Sequence, residues 1–187
     1  MIERIVKKYT MINKTFTFVG SLVVRFLGLF TNINNKRILF SSGMGKFIGD
    51  SSIVIYDAIK EDPFFEDYEL IWAVNDIEKY QQDYNVVKLN SVKYFITALT
   101  SRIWITSVNI ERGLKFKRDK NFYINTWHGI PLKYIGSDVK GRSDYNLSNI
   151  DIFLVSGLYE ERIYEHAFKL NKNQMYRWGL PRNIELE

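Results

Sequence analysis

Short apolar runs, each closed by polar or turn-forming residues, recur from residue 37 onward and limit the folds open to this chain. Helical patterns follow three of these runs, one after a capping residue. Strands that alternate with helices build βα units, whose strands pair in parallel. The sequence therefore predicts an α/β, Rossmann-like and mainly parallel sheet. The predicted strands are 37–41, 69–75, 86–89, 102–108, 121–126, 151–156 and 174–178, and the predicted helices are about 51–60, 91–101 and 158–170.

The composition supports a folded domain of ordinary size and argues against a metal site. Apolar residues make up 46% of the 187 residues, which is enough for a sizeable core. The chain has no cysteine, which excludes disulfides and thiolate ligands and fits a reducing cytoplasm. The two histidines, His128 and His166, are far apart in the sequence and lack the close spacing of a zinc motif. We therefore expect no zinc site and no resident cofactor, and whether a divalent metal ion assists stays open.

Residues 1–35 are basic and apolar, and two interpretations of them stay open. Apolar residues recur at helical spacing, with lysines between them, at Ile2, Ile5, Val6 and Tyr9. This pattern is typical of an amphipathic helix that lies in a membrane interface, but a helix packed on its own domain fits equally well. The apolar stretch 16–30 contains Arg25 and is shorter than the roughly 20 residues of a spanning helix. We therefore divide the chain into a membrane-interface segment, 1–35, and a Rossmann-like domain, 36–187.

The turn after the fifth predicted strand contains a candidate base. His128 follows that strand directly, between Trp127 and Gly129, and Pro131 suits the first turn of a following helix. Open α/β sheets bind ligands at the carboxyl ends of their strands, and an imidazole can move a proton near neutral pH. We predict that His128 moves a proton there.

Charged residues near other turns are further candidates. Lys133, near the start of the helix expected after Pro131, could face a phosphate, or it could be an ordinary surface lysine. Asp138, in a polar loop, could orient a base, although capping a turn is the simpler role. Arg182 follows the last strand and suits bidentate phosphate binding. His166 lies within a charged helix, and we expect a structural or surface role for it.

A glycine-rich turn follows the first predicted strand. Gly43, Gly45 and Gly49 do not match the spacing of the dinucleotide fingerprint, and the turn lacks the ending of a nucleoside-triphosphate loop. The glycines either permit a tight turn into the helix that follows Asp50, or expose amides to an anionic ligand. A basic cluster, Arg112, Lys115, Lys117, Arg118 and Lys120, is either a solvated surface or a contact for an anionic partner. No base-reading motif accompanies it, so we expect no nucleic-acid partner.

Three blocks of residues together resemble the CDP-glycerol glycerophosphotransferase family, whose members make teichoic acids and related polyol-phosphate polymers in bacteria. The second block, Trp-His-Gly-x-Pro-Leu-Lys at 127–133, is the most specific of the three. The other two are the Ile-Leu-Phe-Ser-Ser run at 38–42 with the turn after it, and the strand at 151–156 with Gly-Leu-Pro-Arg-Asn at 179–183. The three blocks extend from residue 37 to residue 183.

The resemblance implies a GT-B-type architecture, of which this chain would be the N-terminal, acceptor-side half. His128 would be the catalytic base that deprotonates the acceptor hydroxyl as it attacks CDP-glycerol, the donor substrate. The acceptor would be a lipid-linked molecule or polyol-phosphate polymer at the cytoplasmic membrane face, where the protein would be peripheral. The substrate-binding residues would be Gly43, Gly45, Asp50, Trp127, Gly129, Lys133, Asp138 and Arg182.

The sequence departs from the family pattern at three points. Ile184 stands where the family has Asp, and Ser51 stands where it commonly has Asn. The sequence stops at Glu187, about where the second, donor-binding domain would begin, so we expect that domain to be missing or supplied by a separate partner. The alternatives left open are a catalytically inactive module that binds lipid-linked polymer or a partner transferase, and a glycosyltransferase that uses a nucleotide sugar. The choice between glycerol and ribitol donors also stays open.

Overall fold

The fold was analysed in a computed structural model that describes residues 10–142 and 145–186. Its centre is a seven-stranded sheet in which all strand pairs are parallel. This arrangement confirms the α/β, Rossmann-like fold predicted from the sequence. In chain order the elements are α1 (Thr10–Leu29), β1 (Asn34–Ser41), α2 (Asp50–Glu61), β2 (Glu69–Val74), β3 (Val86–Lys88), α3 (Val92–Thr100), β4 (Ser101–Thr106), β5 (Phe122–Asn125), β6 (Ile152–Leu154), α4 (Leu158–Phe168) and β7 (Met175–Tyr176).

The strand order, β3-β2-β1-β4-β5-β6-β7, creates a switch point between β1 and β4. The chain builds outward from β1 to β3 and then returns to the other side of β1. At such a point the loops that leave neighbouring strands diverge and open a crevice outside the carboxyl ends. The turns that follow β1, β4 and β5 therefore meet at one edge of the sheet.

The core lies on both faces of the sheet because neighbouring side chains of a strand point to opposite faces. Ile38 and Phe40 of β1 join Trp72 of β2 in a cluster that includes Tyr56 of α2. Leu39, between them in the sequence, belongs to a larger cluster on the opposite face. That cluster contains buried residues of α1, α3 and α4, among them Val24, Ala98 and Phe168.

Helix α1 packs on the domain through Val24, which lies in the core, and through small and polar residues. Gly28 is buried, and a Cβ on it would lie only 3.2 Å from Leu99 Cδ2 of α3. Ser21 is also buried, and its hydroxyl accepts a hydrogen bond of 2.9 Å from the backbone N–H of Lys115. The side chain of Arg25 donates from Nε to the Lys115 carbonyl at 2.8 Å. The second half of α1 is therefore part of the folded domain.

Three members of the basic cluster at 112–120 make side-chain contacts within the domain: Arg112 donates from Nε to Oδ1 of Asn90 at 3.3 Å, and the other two are Arg118 and Lys117. Arg118 donates from Nη1 to the carbonyl of Thr31 at 3.0 Å, which ties the end of α1 to the domain. Lys117 forms an ion pair of 3.0 Å with Asp151. Part of the cluster's charge therefore holds the chain together.

The predicted segment 1–35 is divided differently in the structure. The helical pattern from Ile2 to Tyr9 lies outside the described residues. Strand β1 begins at Asn34, so the last two residues of the segment belong to the sheet. Within 10–142 and 145–186, no helix is both long enough and apolar enough to cross a bilayer.

The prediction of a helix after Pro131 is wrong. Residues 131–135 are irregular, and only a short 3-10 turn, Gly136–Asp138, follows. Gly136 has a φ of 54°, which breaks a right-handed helix. Leu132, Lys133 and Tyr134 are all exposed, so the middle of this segment buries no apolar side chain.

Gly136 is required where its loop crosses α4. A Cβ there would lie 2.2 Å from the carbonyl oxygen of Ala167, a backbone atom that cannot move aside alone. We expect Gly136→Ala to lower the free energy of unfolding by about 2–4 kcal/mol, from backbone strain plus overpacking. The measurement is urea unfolding at equilibrium. Gly141→Ala is the matched control, since Gly141 also has a positive φ, 82°, but nothing within 4 Å of its Cβ position. Equal losses in the two variants would contradict the contact.

Candidate functional site

His128 lies just beyond the carboxyl end of β5, on a turn whose backbone is strained. Trp127 has a φ of 55°, a conformation that a bulky side chain rarely adopts. Asn125 stabilises it: its Oδ1 accepts from the N–H of Trp127 at 2.7 Å, and its Nδ2 donates to the Val108 carbonyl at 2.7 Å. The turn places the imidazole of His128 on the indole of Trp127, with ring centroids 4.1 Å apart. His128 thus presents a stacked, solvent-accessible imidazole at the edge of the sheet.

An ion pair lies beside this histidine. Asp50, at the start of α2, binds Arg182 through Oδ1 and Nη1 at 2.9 Å. The two residues are 132 positions apart, so this contact joins the turn after β1 to the last turn of the described chain. Nη2 of Arg182 is also 4.0 Å from the position of a Cβ on Gly129. Asp50, Arg182 and the His128 turn therefore share one site.

The surroundings of His128 favour its neutral form. Partial burial lowers the pKa of the imidazole below its usual value, although much of the side chain is exposed. The Asp50 carboxylate acts in the opposite direction and raises this pKa, whereas the Arg182 guanidinium lowers it. A neutral imidazole can accept a proton, so at neutral pH His128 is available as a general base.

The glycine-rich turn after β1 has a structural role. Gly43 and Gly45 have positive φ values of 50° and 77° and form a 3-10 turn. The N–H of Gly45 donates to the Ser42 carbonyl at 2.8 Å, so that amide is used within the turn. At the start of α2, Asp50 Oδ1 accepts from the N–H of Ser51 at 2.8 Å. The N–H of Ser51 is therefore already bonded to the Asp50 carboxylate, whereas an external anion at this turn would need such a free amide.

Lys133 and Asp138 differ from the other predicted site residues. Lys133 is exposed in the irregular segment and does not lie at a helix start. Asp138 pairs with His166 of α4, with 2.6 Å between Oδ1 and Nδ1. No described contact joins Asp138 to His128, Asp50 or Arg182. His166 has the structural role predicted for it, because it holds the Asp138 turn on α4.

The described residues offer no candidate metal centre. Within 10–142 and 145–186, no group of three or more histidine, aspartate or glutamate side chains is placed to hold an ion. The two carboxylates considered for the site already have side-chain partners. Arg182 binds Asp50, and His166 binds Asp138.

Sequence reasoning missed two residues that support the turn. Asn125 is a fully buried polar residue at the end of an apolar strand, and that unusual position was the available signal. Tyr164 of α4 donates from its hydroxyl to the carbonyl of Gly129 at 3.1 Å. Its place four residues before Phe168 predicts only that it faces the core, so nothing in the sequence indicated this contact.

Comparison with known proteins now decides the family. The sequence profile of CDP-Glycerol:Poly(glycerophosphate) glycerophosphotransferase matches residues 23–186. The chain belongs to this family. The glycerophosphotransferase match includes β1, the His128 turn and the Arg182 turn, which form the site described above.

Individual relatives of the glycerophosphotransferase family agree with this assignment. The chain is 27% identical over 181 residues to a teichoic acid poly(glycerol phosphate) polymerase of Bacillus spizizenii, covering 88% of this chain and 45% of the relative. It is 28% identical over 175 residues to a teichoic acid glycerol-phosphate transferase of Staphylococcus aureus, covering 84% and 44%. The solved wall teichoic acid polymerase TagF superposes with a TM-score of 0.75 at 27% identity, covering 93% of this chain and 48% of that one. The chain thus spans about half the length of these relatives.

The opposed effects of Asp50 and Arg182 on His128 can be measured separately. We expect Asp50→Asn to lower the pKa of His128 further, because the carboxylate stabilises the imidazolium. Arg182→Gln should raise this pKa, because the guanidinium opposes protonation. The measurement is a titration of the His128 Hε1 resonance by NMR. Asp138→Asn is the control, since its carboxylate contacts His166 instead. A His128 pKa that moves in the same direction in both site variants would contradict the arrangement.

Proposed function

We propose that this chain is the acceptor-side part of a glycerophosphotransferase that extends a polyol-phosphate polymer. The relatives are named as teichoic acid polymerases and transferases, and the site is suited to that chemistry. Transfer of a phosphoryl-type group needs a positioned nucleophile and positive charge at the developing oxyanion. His128 activates the nucleophile by accepting its proton, and Arg182 supplies the positive charge. The observation that carries the proposal is the accessible imidazole of His128 beside the Asp50–Arg182 pair, with burial lowering the pKa of that imidazole.

The proposed step uses one base. The acceptor's terminal hydroxyl gives its proton to the imidazole of His128, and its oxygen attacks the β-phosphorus of CDP-glycerol. A new P–O bond forms to the acceptor, the P–O bond to the bridging oxygen breaks, and CMP leaves with that oxygen. Arg182, oriented by Asp50, offers its guanidinium to the phosphate oxygens. The imidazolium then returns its proton to solvent, and the next cycle begins.

The test of the base uses a chimera, because a complete enzyme is needed for turnover. Residues 23–186 replace the matching segment of the Staphylococcus aureus transferase, and CMP release is followed with CDP-glycerol and a lipid-linked acceptor. We expect His128→Ala to lower kcat by about 10²–10⁴-fold, the usual contribution of a general base. His166→Gln is the matched control and should keep most of the activity. A His128→Ala chimera that releases CMP at the parental rate would exclude the base.

A binding measurement distinguishes transfer from the alternative of an inactive binding module. The isolated chain should bind a short glycerol-phosphate oligomer, with weaker binding in Arg182→Gln, and should release no CMP from CDP-glycerol. An active chimera identifies the chain as part of a transferase. A chimera that binds the oligomer but never turns over supports the binding module.

We further propose that the outer face of α1 contacts an anionic membrane surface, where a lipid-linked acceptor would be found. The face of α1 turned toward the domain carries Val24 and several small or polar residues, such as Ser21 and Gly28. The opposite face exposes large apolar side chains, at Phe16, Phe18, Val19, Leu22, Val23, Phe26, Leu29 and Phe30. Exposed patches of this kind mark interaction sites, and the net charge of +5 favours anionic headgroups.

The membrane proposal is better tested by substitution than by deletion of α1, because deletion would uncover the core beneath it. Phe16 and Phe26 are each 59% exposed, so replacing both by Ser should leave the fold intact. We expect the double variant to bind phosphatidylglycerol vesicles at least about tenfold more weakly, since each phenyl ring contributes of order 1 kcal/mol or more to insertion. The measurement is vesicle co-sedimentation.

The control for this experiment is Phe64→Ser. Phe64 is 71% exposed but lies in the turn between α2 and β2, on no part of α1. Vesicle binding should be unchanged in this variant. If the double α1 variant binds as tightly as the parent, or if Phe64→Ser weakens binding equally, the outer face of α1 is not the contact.

A further inference from the structure

Tyr164 lies directly behind the His128 turn, in the middle of α4. It is fully buried, and its hydroxyl donates to the carbonyl of Gly129 at 3.1 Å. Its ring meets the indole of Trp127 edge to face, with centroids 5.9 Å apart, and stacks on Phe168 at 5.2 Å. One side chain therefore touches the residues on both sides of His128.

The turn needs such support because its backbone is strained. A left-handed conformation at a Trp persists only where the surroundings fix it. Asn125 holds the turn from the strand side through the N–H of Trp127. The hydroxyl of Tyr164 holds it from the other side, at the carbonyl of Gly129. His128 is located between these two hydrogen bonds.

Burial keeps Tyr164 able to donate. Desolvation raises the pKa of its phenol well above the ordinary value, and the neighbouring Glu160 carboxylate raises it further. The hydroxyl thus stays protonated throughout the pH range in which an enzyme of this kind would be assayed. The bond to Gly129 does not switch with pH.

Helix α4 also holds the far end of the same loop. Gly136 lies against the carbonyl of Ala167, and Ser137 donates from its hydroxyl to the carbonyl of His166 at 3.2 Å. Asp138 adds its ion pair with the His166 side chain. The loop that begins at Gly129 is therefore fixed to α4 at both ends.

We propose that Tyr164 is a positioning residue, whose hydroxyl keeps His128 stacked on Trp127 and directed into the site. This inference rests on the proposed role of His128 as base, and it assigns to α4 a function beyond closing the core. Tyr164 contacts no substrate itself and acts only through the backbone at Gly129.

The test is Tyr164→Phe, which removes the hydroxyl and keeps the ring. Tyr94→Phe is the matched control: Tyr94 is also fully buried and donates to a backbone carbonyl, that of Ile110, away from the His128 turn. The readout is the His128 Hε1 resonance in the isolated chain, which the indole ring current displaces. The only other histidine, His166, serves as an internal reference.

We expect Tyr164→Phe to move the His128 resonance toward its unstacked position and to raise the pKa of His128 toward its usual value. Tyr94→Phe should lower stability by a similar amount and leave both unchanged. Loss of stability in Tyr164→Phe with an unaltered His128 resonance and pKa would overturn the proposal. Because this readout needs no turnover, it is independent of whether His128 acts as the base.

The chimeric transferase gives a second, kinetic readout. We expect Tyr164→Phe to lower kcat roughly tenfold to a hundredfold with little change in KM, since a displaced base affects the chemical step more than binding. Tyr94→Phe should keep the parental kcat. If His128→Ala is inactive while Tyr164→Phe retains full kcat, the base is correct and the positioning role is wrong.

Discussion

The backbone hydrogen bonds between the central parallel strands continue beyond the ends of these strands, and the site depends on these additional bonds. The N–H of Ser107 donates to the Ser41 carbonyl at 3.3 Å, and the N–H of Thr126 donates to the Thr106 carbonyl at 2.9 Å. These bonds tie the turn after β1 to that after β4, and the turn after β4 to that after β5. The strand ends that lead into the glycine-rich turn and the His128 turn are thereby linked through backbone hydrogen bonds.

On this frame the site combines opposed charges around the His128 imidazole. Asp50 and Arg182 neutralise each other in part, and they act on the pKa of His128 in opposite directions. Partial burial has the largest effect and lowers this pKa, and the ring stacks on Trp127. An arginine already oriented by a carboxylate loses less conformational entropy when a phosphate binds. The ion pair therefore orients the cation as well as joining distant parts of the chain.

Helix α1 shows why composition alone could not choose between its two interpretations. Its inner face is packed on the domain through Ser21 and Gly28, while its outer face exposes Phe16 and Phe26. The membrane contact of that outer face stays a proposal. The helical spacing shows that the large apolar residues and the small residues lie on different faces of α1. It does not show which of these faces packs on the domain. In the structure the face with the small residues packs on the domain, where Leu99 and Leu114 fill the space beside Gly28 and Gly20.

The sequence by itself determined the strands and the family. Strands buried on both faces are continuous apolar runs, so each predicted strand was found, with ends shifted by a few residues. The Trp-His-Gly block identified the turn that holds His128.

The tertiary structure alone decided which residues meet there. The contacts of Asp50 with Arg182, Asp138 with His166, and Tyr164 with Gly129 join residues at least 28 positions apart. No local pattern encodes such contacts, because they arise only when the sheet order brings the turns to one edge and α4 packs behind them. The helix expected after Pro131 is absent, and Gly136, where the loop crosses α4, has a φ of 54° that breaks a right-handed helix.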